Sequence, residues 1–185
     1  MKSSHPLPYS RGFSLVEIMV AVLVISIGLL GIAKMQALAL SSTGNARLRA
    51  LASLEAASLA SAIRANRTFW ASSATVGTNQ NVTISGAAIT ASTNGQLQTA
   101  ANCASGGANA PCSSVLMAAY DLQQWAIALN SVIKSDYALI TCTLPAANNP
   151  VTCTIKINWS ENEVAANTSA SGAMSQPQYT LYVEP

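Results

Sequence analysis

The sequence predicts an α+β protein: a long N-terminal helix packed on a small antiparallel β-sheet, with a second helix beside them. Three observations carry that expectation. Residues 13–33 are an apolar run holding a single ionisable side chain. Helix-forming residues then continue to about residue 65 with no proline to stop them. From Tyr137 onward the pattern changes from helical periodicity to alternation, with Leu139 the exception.

Composition narrows the function classes. The 185 residues suit one domain plus an extended element, with too little chain for two separate cores. Half of the residues are hydrophobic and only 9% are charged. Two of the nine basic side chains, Lys2 and Arg11, lie ahead of the apolar run, which leaves seven against seven acidic ones. No basic footprint for nucleic acid remains. The one histidine is His5, also ahead of the run. A chain trimmed there has no imidazole for Cys-His or Ser-His catalysis. The four cysteines, Cys103, Cys112, Cys142 and Cys153, lack zinc-ligand spacing. They suit two disulfides in an oxidising compartment. No metal or cofactor is expected. The carboxylates Asp121 and Asp136, or Glu161 and Glu163, are read as solvent-facing charges rather than acid–base pairs.

The N-terminus reads as a basic leader, residues 1–12, ahead of a bilayer-length apolar segment, residues 13–33. At about 1.5 Å per residue that segment spans about 30 Å as a helix, the thickness of a hydrocarbon core. A secretory signal places its small-residue cleavage site after the apolar region. Here the small residue, Gly12, precedes it, so cleavage at Gly12 leaves the segment on the mature chain as an anchor. Lys2 and Arg11 keep the leader cytoplasmic and send residues 34–185 outward. Glu17 is the one charge inside the segment, and it costs a few kcal/mol there by insertion scales. It either snorkels to the interface or pairs with an amine in the same layer. Cleavage after Gly12 would create such an amine on Phe13, of the same chain or of a neighbour.

The helix is expected over residues 14–65. Leu48, Leu51, Ala52, Leu59 and Ile63 recur at helical spacing, with Arg47, Arg49, Glu55 and Arg64 largely elsewhere. Gly44 weakens the helix by about 1 kcal/mol without ending it. Gly28 and Gly31 permit close helix packing or are ordinary glycines of an apolar helix. Residues 71–111, rich in Ala, Ser, Thr, Asn and Gly, read as a long connection with strand-like pieces at Val82–Ile84 and Ala88–Thr90. Cys103 and Cys112 are expected to close a local loop. Ser113 or Ser114 then caps a second helix reaching Ile133. Its apolar stripe comprises Val115, Leu116, Ala119, Leu122, Trp125, Ala126, Leu129, Val132 and Ile133.

Residues 137–159 read as a hairpin with Pro145–Pro150 as its loop. Placing Leu144 opposite Val151 brings Cys142 opposite Cys153, Ile140 opposite Ile155 and Ala138 opposite Ile157. The apolar residues, Leu139 excepted, then share one face and the threonines, Lys156 and Asn158 the other, a separation that a one-residue slip destroys. Opposed strand residues lie about 4.5–5.5 Å apart, within reach of a disulfide. Cys142–Cys153 is therefore the expected pair, with Cys103–Cys112 the other. Residues 161–176 read as a polar loop, and Gln178–Val183 as a last strand beside the hairpin.

The run Arg11-Gly12-Phe13-Ser14-Leu15-Val16-Glu17, heading an apolar helix, resembles the prepilin motif of type IV pilins, minor pilins and type II secretion pseudopilins. The likeness covers roughly residues 11–40. It implies a pilin-like fold, cleavage by a prepilin peptidase between Gly12 and Phe13, N-methylation of Phe13, and a role for Glu17 in subunit docking. It also implies residence in the inner membrane before assembly, with the N-terminus cytoplasmic and the globular part periplasmic, then in a pilus at the cell surface. Residues 121–129 are similar to a helix of minor pilins of the PilV type. Major pilins usually carry a helix-bending proline in the first helix, residues 14–65 here, and a disulfide loop near the end; this chain has neither feature. The function implied is that of a minor pilin that helps initiate pilus assembly, with other minor pilins, the major pilin, the peptidase and inner-membrane lipid as partners and no nucleic acid. A type II secretion pseudopilin, or a tip adhesin, is the alternative.

Overall fold

The computed structural model describes residues 12–71, 80–143, 150–162 and 174–185. The leader residues ahead of Gly12, the expected pairing partner Leu144 and Glu163 lie outside them. Two compact units divide at residue 42, within helix α1 (Leu15–Ala65).

The N-terminal unit is the first part of α1. Its side chains from Phe13 to Met35 are exposed, apolar ones included. An 18-residue window reaches a mean hydropathy of 2.7 with none of it buried within the chain. By length and composition this helix is able to cross a membrane.

The second unit contains residues 43–65 of α1 and everything after them. On that part of α1 the buried residues are Ala52, Ala56, Leu59, Ala60 and Ile63. They follow the i, i+4, i+7, i+8, i+11 spacing of a helix with one core-facing stripe. Three of the five are alanines, so the backbone on that side can approach its neighbours closely. A short helix α2 (Arg67–Trp70) follows and buries Phe69 and Trp70 edge to face, with ring centroids 5.1 Å apart.

Helix α3 (Ser114–Val132) begins at Ser113, whose hydroxyl accepts from the Leu116 N–H. Its core side is Ala118, Ala119, Leu122, Trp125, Ala126 and Leu129, with Ile133 buried just past its end. Val132, expected in the stripe, is 41% exposed, while Ala118, not expected there, is fully covered. At about 100° per residue Val132 lies about 60° from Leu129, on the margin of the stripe in the last turn of the helix.

Five strands form one antiparallel sheet: β1 (Gln80–Ser85), β2 (Ala88–Ser92), β3 (Ser135–Cys142), β4 (Cys153–Trp159) and β7 (Gln178–Val183), in the order β2-β1-β3-β4-β7. A separate pair joins β5 (Glu161–Asn162) to β6 (Met174–Ser175). The β3–β4 register sets Ala138, Ile140 and Cys142 opposite Ile157, Ile155 and Cys153, as the alternation requires. β7 lies on the far side of β4, the place expected for the last strand.

The strand-like pieces expected at Val82–Ile84 and Ala88–Thr90 fall within β1 and β2, but residues 71–111 are more than a connection: β1 pairs with β3, so the sheet has five strands among the described residues rather than three. The turn between β1 and β2 has two residues, Gly86 and Ala87, with Gly86 at φ +59, a conformation that glycine adopts without a Cβ clash. The sheet's inner face, including Val82, Ile84, Ile140, Ile155 and Ile157, joins the α1 and α3 stripes in one hydrophobic core. A helix-on-sheet layering of this kind buries the apolar sides of helix and sheet against one another.

Candidate assembly site

The motif residues stand at the head of α1. Glu17 lies in its first turn, where its N–H donates to Ser14 O at 3.0 Å. A carboxylate in a first turn faces the positive end of the helix dipole and the unpaired N–H groups there. Ser14-Leu15-Val16-Glu17 also has the Ser-x-x-Glu spacing of a capping box, a helix-start signal that the reading of the leader passed over. Phe13 is 79% exposed, and no apolar side chain from Leu15 to Ile32 is buried within the chain. Side chains of this kind require a medium other than water, whether lipid or other helices. The cost of leaving them wet is roughly 1.5–3 kcal/mol for each large one.

The globular unit holds two disulfides. One joins Cys142 and Cys153, directly opposed on β3 and β4 and both fully buried. The other joins Cys103 and Cys112 and closes the loop ahead of α3. Within that loop a Cβ on Gly107 would lie 2.5 Å from Asn102 O, so no larger residue fits there without a shift.

Glu161, read from sequence as a solvent-facing charge in a loop, is 2% exposed and heads β5. Trp159, itself buried, donates from Nε1 to Glu161 Oε1 at 2.9 Å. Arg49 of α1 donates from Nε to Oε1 at 3.3 Å and from Nη2 to Oε2 at 3.2 Å. Those donors are what permit a buried carboxylate. The Glu161 hydrogen bonds and charge push the Arg49 guanidinium above its usual value. Glu161 thus fastens the chain after β4 to the amphipathic part of α1. Arg49 lies 112 positions from Glu161, so no local pattern announces that pair.

A second link joins the two long helices. Trp125 Nε1 donates to Glu55 O at 2.8 Å. Beside it a shallow groove of about 290 Å³ is lined by Glu55, Leu59, Asp121, Gln124 and Trp125 among others. Asp121 is half-buried rather than solvent-facing, and burial raises its carboxyl above the usual carboxylate value. Neither a histidine nor a third metal-ligating group joins these acids: among the described residues no three His, Cys, Asp or Glu side chains converge.

Compared with models of known protein families, residues 7–33 match the prokaryotic N-terminal methylation motif. No curated protein and no solved structure matches the chain. The motif, the unburied apolar helix it heads and the disulfide-bonded α+β unit that follows support a membrane-anchored subunit of the type IV pilin-like group, which includes pilins and pseudopilins and is structural rather than catalytic.

Proposed function

We propose that this protein is a minor pilin that enters a type IV pilus and helps start its assembly. It acts by helix packing and subunit docking, without chemistry of its own. The observation that carries the reading is the methylation motif at the head of a helix whose apolar side chains from Leu15 to Ile32 are all unburied within the chain. In this account residues 1–12 are a leader removed between Gly12 and Phe13 by a prepilin peptidase. Residues 13–33 hold the subunit in the inner membrane, and residues 34–185 lie in the periplasm. Phe13 becomes the methylated N-terminus. The new amine and Glu17 then neutralise one another in the apolar layer, within one subunit or between two. An unneutralised carboxylate in hydrocarbon costs at least a few kcal/mol, so pairing favours one register of a subunit against its neighbours.

Support for a minor rather than a major subunit comes from α1, which runs from Leu15 to Ala65 as a single helix, and from the helix around Trp125. The subunit's partners are then the major pilin and other minor pilins. Deletion of the protein is expected to reduce the number of pili, with secretion through the type II pathway unchanged. Glu17→Leu is expected to reproduce the deletion while the protein still accumulates in the membrane. Normal piliation with Glu17→Leu overturns the docking role, and loss of secretion with normal pili assigns the protein to the secretion machine instead.

A further inference from the structure

We propose that the free edge of β7 is a docking site for an extended strand of another protein, one carrying uncharged apolar side chains at alternate positions. β7 pairs with β4 along its whole length, Gln178 to Val183, in a register without a bulge. A strand carries amides and carbonyls on both of its edges, and one neighbour satisfies only one of them. Among the described residues the second edge of β7 has no hydrogen-bonding partner, from backbone or side chain.

The opposite edge of the sheet is treated differently. β2 pairs with β1 through an irregular register at Thr83 and Ile84. A 3-10 turn, Gly95–Gln98, packs along it, and Gln98 Nε2 donates to Thr90 O at 3.1 Å. A bulge and a covering segment are two of the devices by which proteins blunt an edge. Among the described residues β7 has neither, and its sequence QYTLYV includes no lysine, no proline and no charge of either sign.

The side chains indicate what the edge would accept. Ile155 and Ile157 of β4 are fully buried, whereas Leu181 and Tyr179, opposite them on β7, are only half-buried. Another strand, about 4.8 Å further out, would continue the sheet and cover that row. Only an extended backbone presents carbonyls and amides at the matching spacing. The row of Tyr179 and Leu181 then selects for apolar residues at every second position. On the outer face Tyr182, 69% exposed, offers the same strand an aromatic contact. The site belongs to the second unit and uses none of the motif residues, so it stands or falls separately from the pilus reading.

Hydrogen exchange tests it on the full chain in detergent micelles with both disulfides intact. The probe is a synthetic peptide of alternating threonine and valine, N-methylated along one edge so that it cannot stack on itself. Its control has lysine in place of valine. In the free chain the β7 amides directed away from β4 should exchange quickly, and saturating probe should slow them by about tenfold or more. The amides of β2 should not respond, nor should β7 respond to the control. Leu181→Lys should abolish the slowing while the β4–β7 amides stay protected. The proposal is overturned if the outward β7 amides are already as slow as those of β4, or if the two peptides act alike. It is overturned equally if neither peptide slows exchange, or if Leu181→Lys leaves the slowing in place.

Discussion

Glu161→Ala tests how the chain after β4 is held to the buried Trp159 at the end of that strand. The carboxylate and the Trp159 ring are each only 2% exposed, and the bond between them is 2.9 Å long. A hydrogen bond to a charged acceptor contributes about 1.5–3 kcal/mol, and a buried donor left without a partner costs about 1–3 kcal/mol. These are two descriptions of one loss, so their overlap, about 2–3 kcal/mol, is the expected destabilisation. The Arg49 contacts add little because that guanidinium is largely in water. For a chain of this size the loss lowers the melting temperature by roughly 4–12 °C. Urea unfolding of the oxidised full chain in micelles, followed by tryptophan fluorescence, measures it. Glu161→Gln keeps an oxygen for the indole and should cost less than half as much. Trp159→Phe removes the donor, so it should cost at least about 1 kcal/mol less in the Glu161→Ala background than in the native chain. If Glu161→Ala costs under about 0.5 kcal/mol, or the two changes are additive, the bond does not hold β5 to the end of β4.

Three further outcomes follow from the same packing. Burial raises the Asp121 carboxyl, so its charged form is disfavoured in the folded chain at pH values above the raised pKa, and that cost disappears as pH falls below the ordinary value of 3.8. Asp121→Asn should therefore stabilise modestly near neutral pH and give no advantage in strong acid, as read by thermal unfolding across pH. Replacing Cys142 and Cys153 together by alanine opens a loop of sequence separation 11 and should cost about 2–3 kcal/mol in urea unfolding. Ala56→Leu adds bulk where α1 is fully covered and should destabilise by about 1–3 kcal/mol, whereas the same change at exposed Ala57 should be nearly neutral.

Features that are local or strictly periodic were legible before the structure. The apolar helix, the Ser113 cap and the β3–β4 register each depend on neighbours along the chain or on a period of two. In that register apolar alternation and cysteine placement select the same pairing. The β1–β2 hairpin was underread because its inward row, Gln80, Val82 and Ile84, contains a polar residue satisfied across the sheet, with Gln80 Nε2 donating to Ser92 Oγ at 3.2 Å. Ser85-Gly86 was the available turn signal. Glu161 was misread for a different reason. A carboxylate is expected in water unless donors surround it, and one of its two, Arg49, lies 112 positions away. The N-terminal motif was legible in full because its elements, Gly12, Phe13, Glu17 and the apolar run, are contiguous. The open edge of β7 was not, since an edge exists only once the strand order is known.

The measurement closest to the centre of this account is the mass of the intact protein taken from sheared pili. A chain beginning at Phe13, carrying a methyl group on its N-terminal amine and retaining the whole apolar helix, is the predicted species. A chain in the filament that still begins at Met1, or one that has lost residues 13–33, contradicts it.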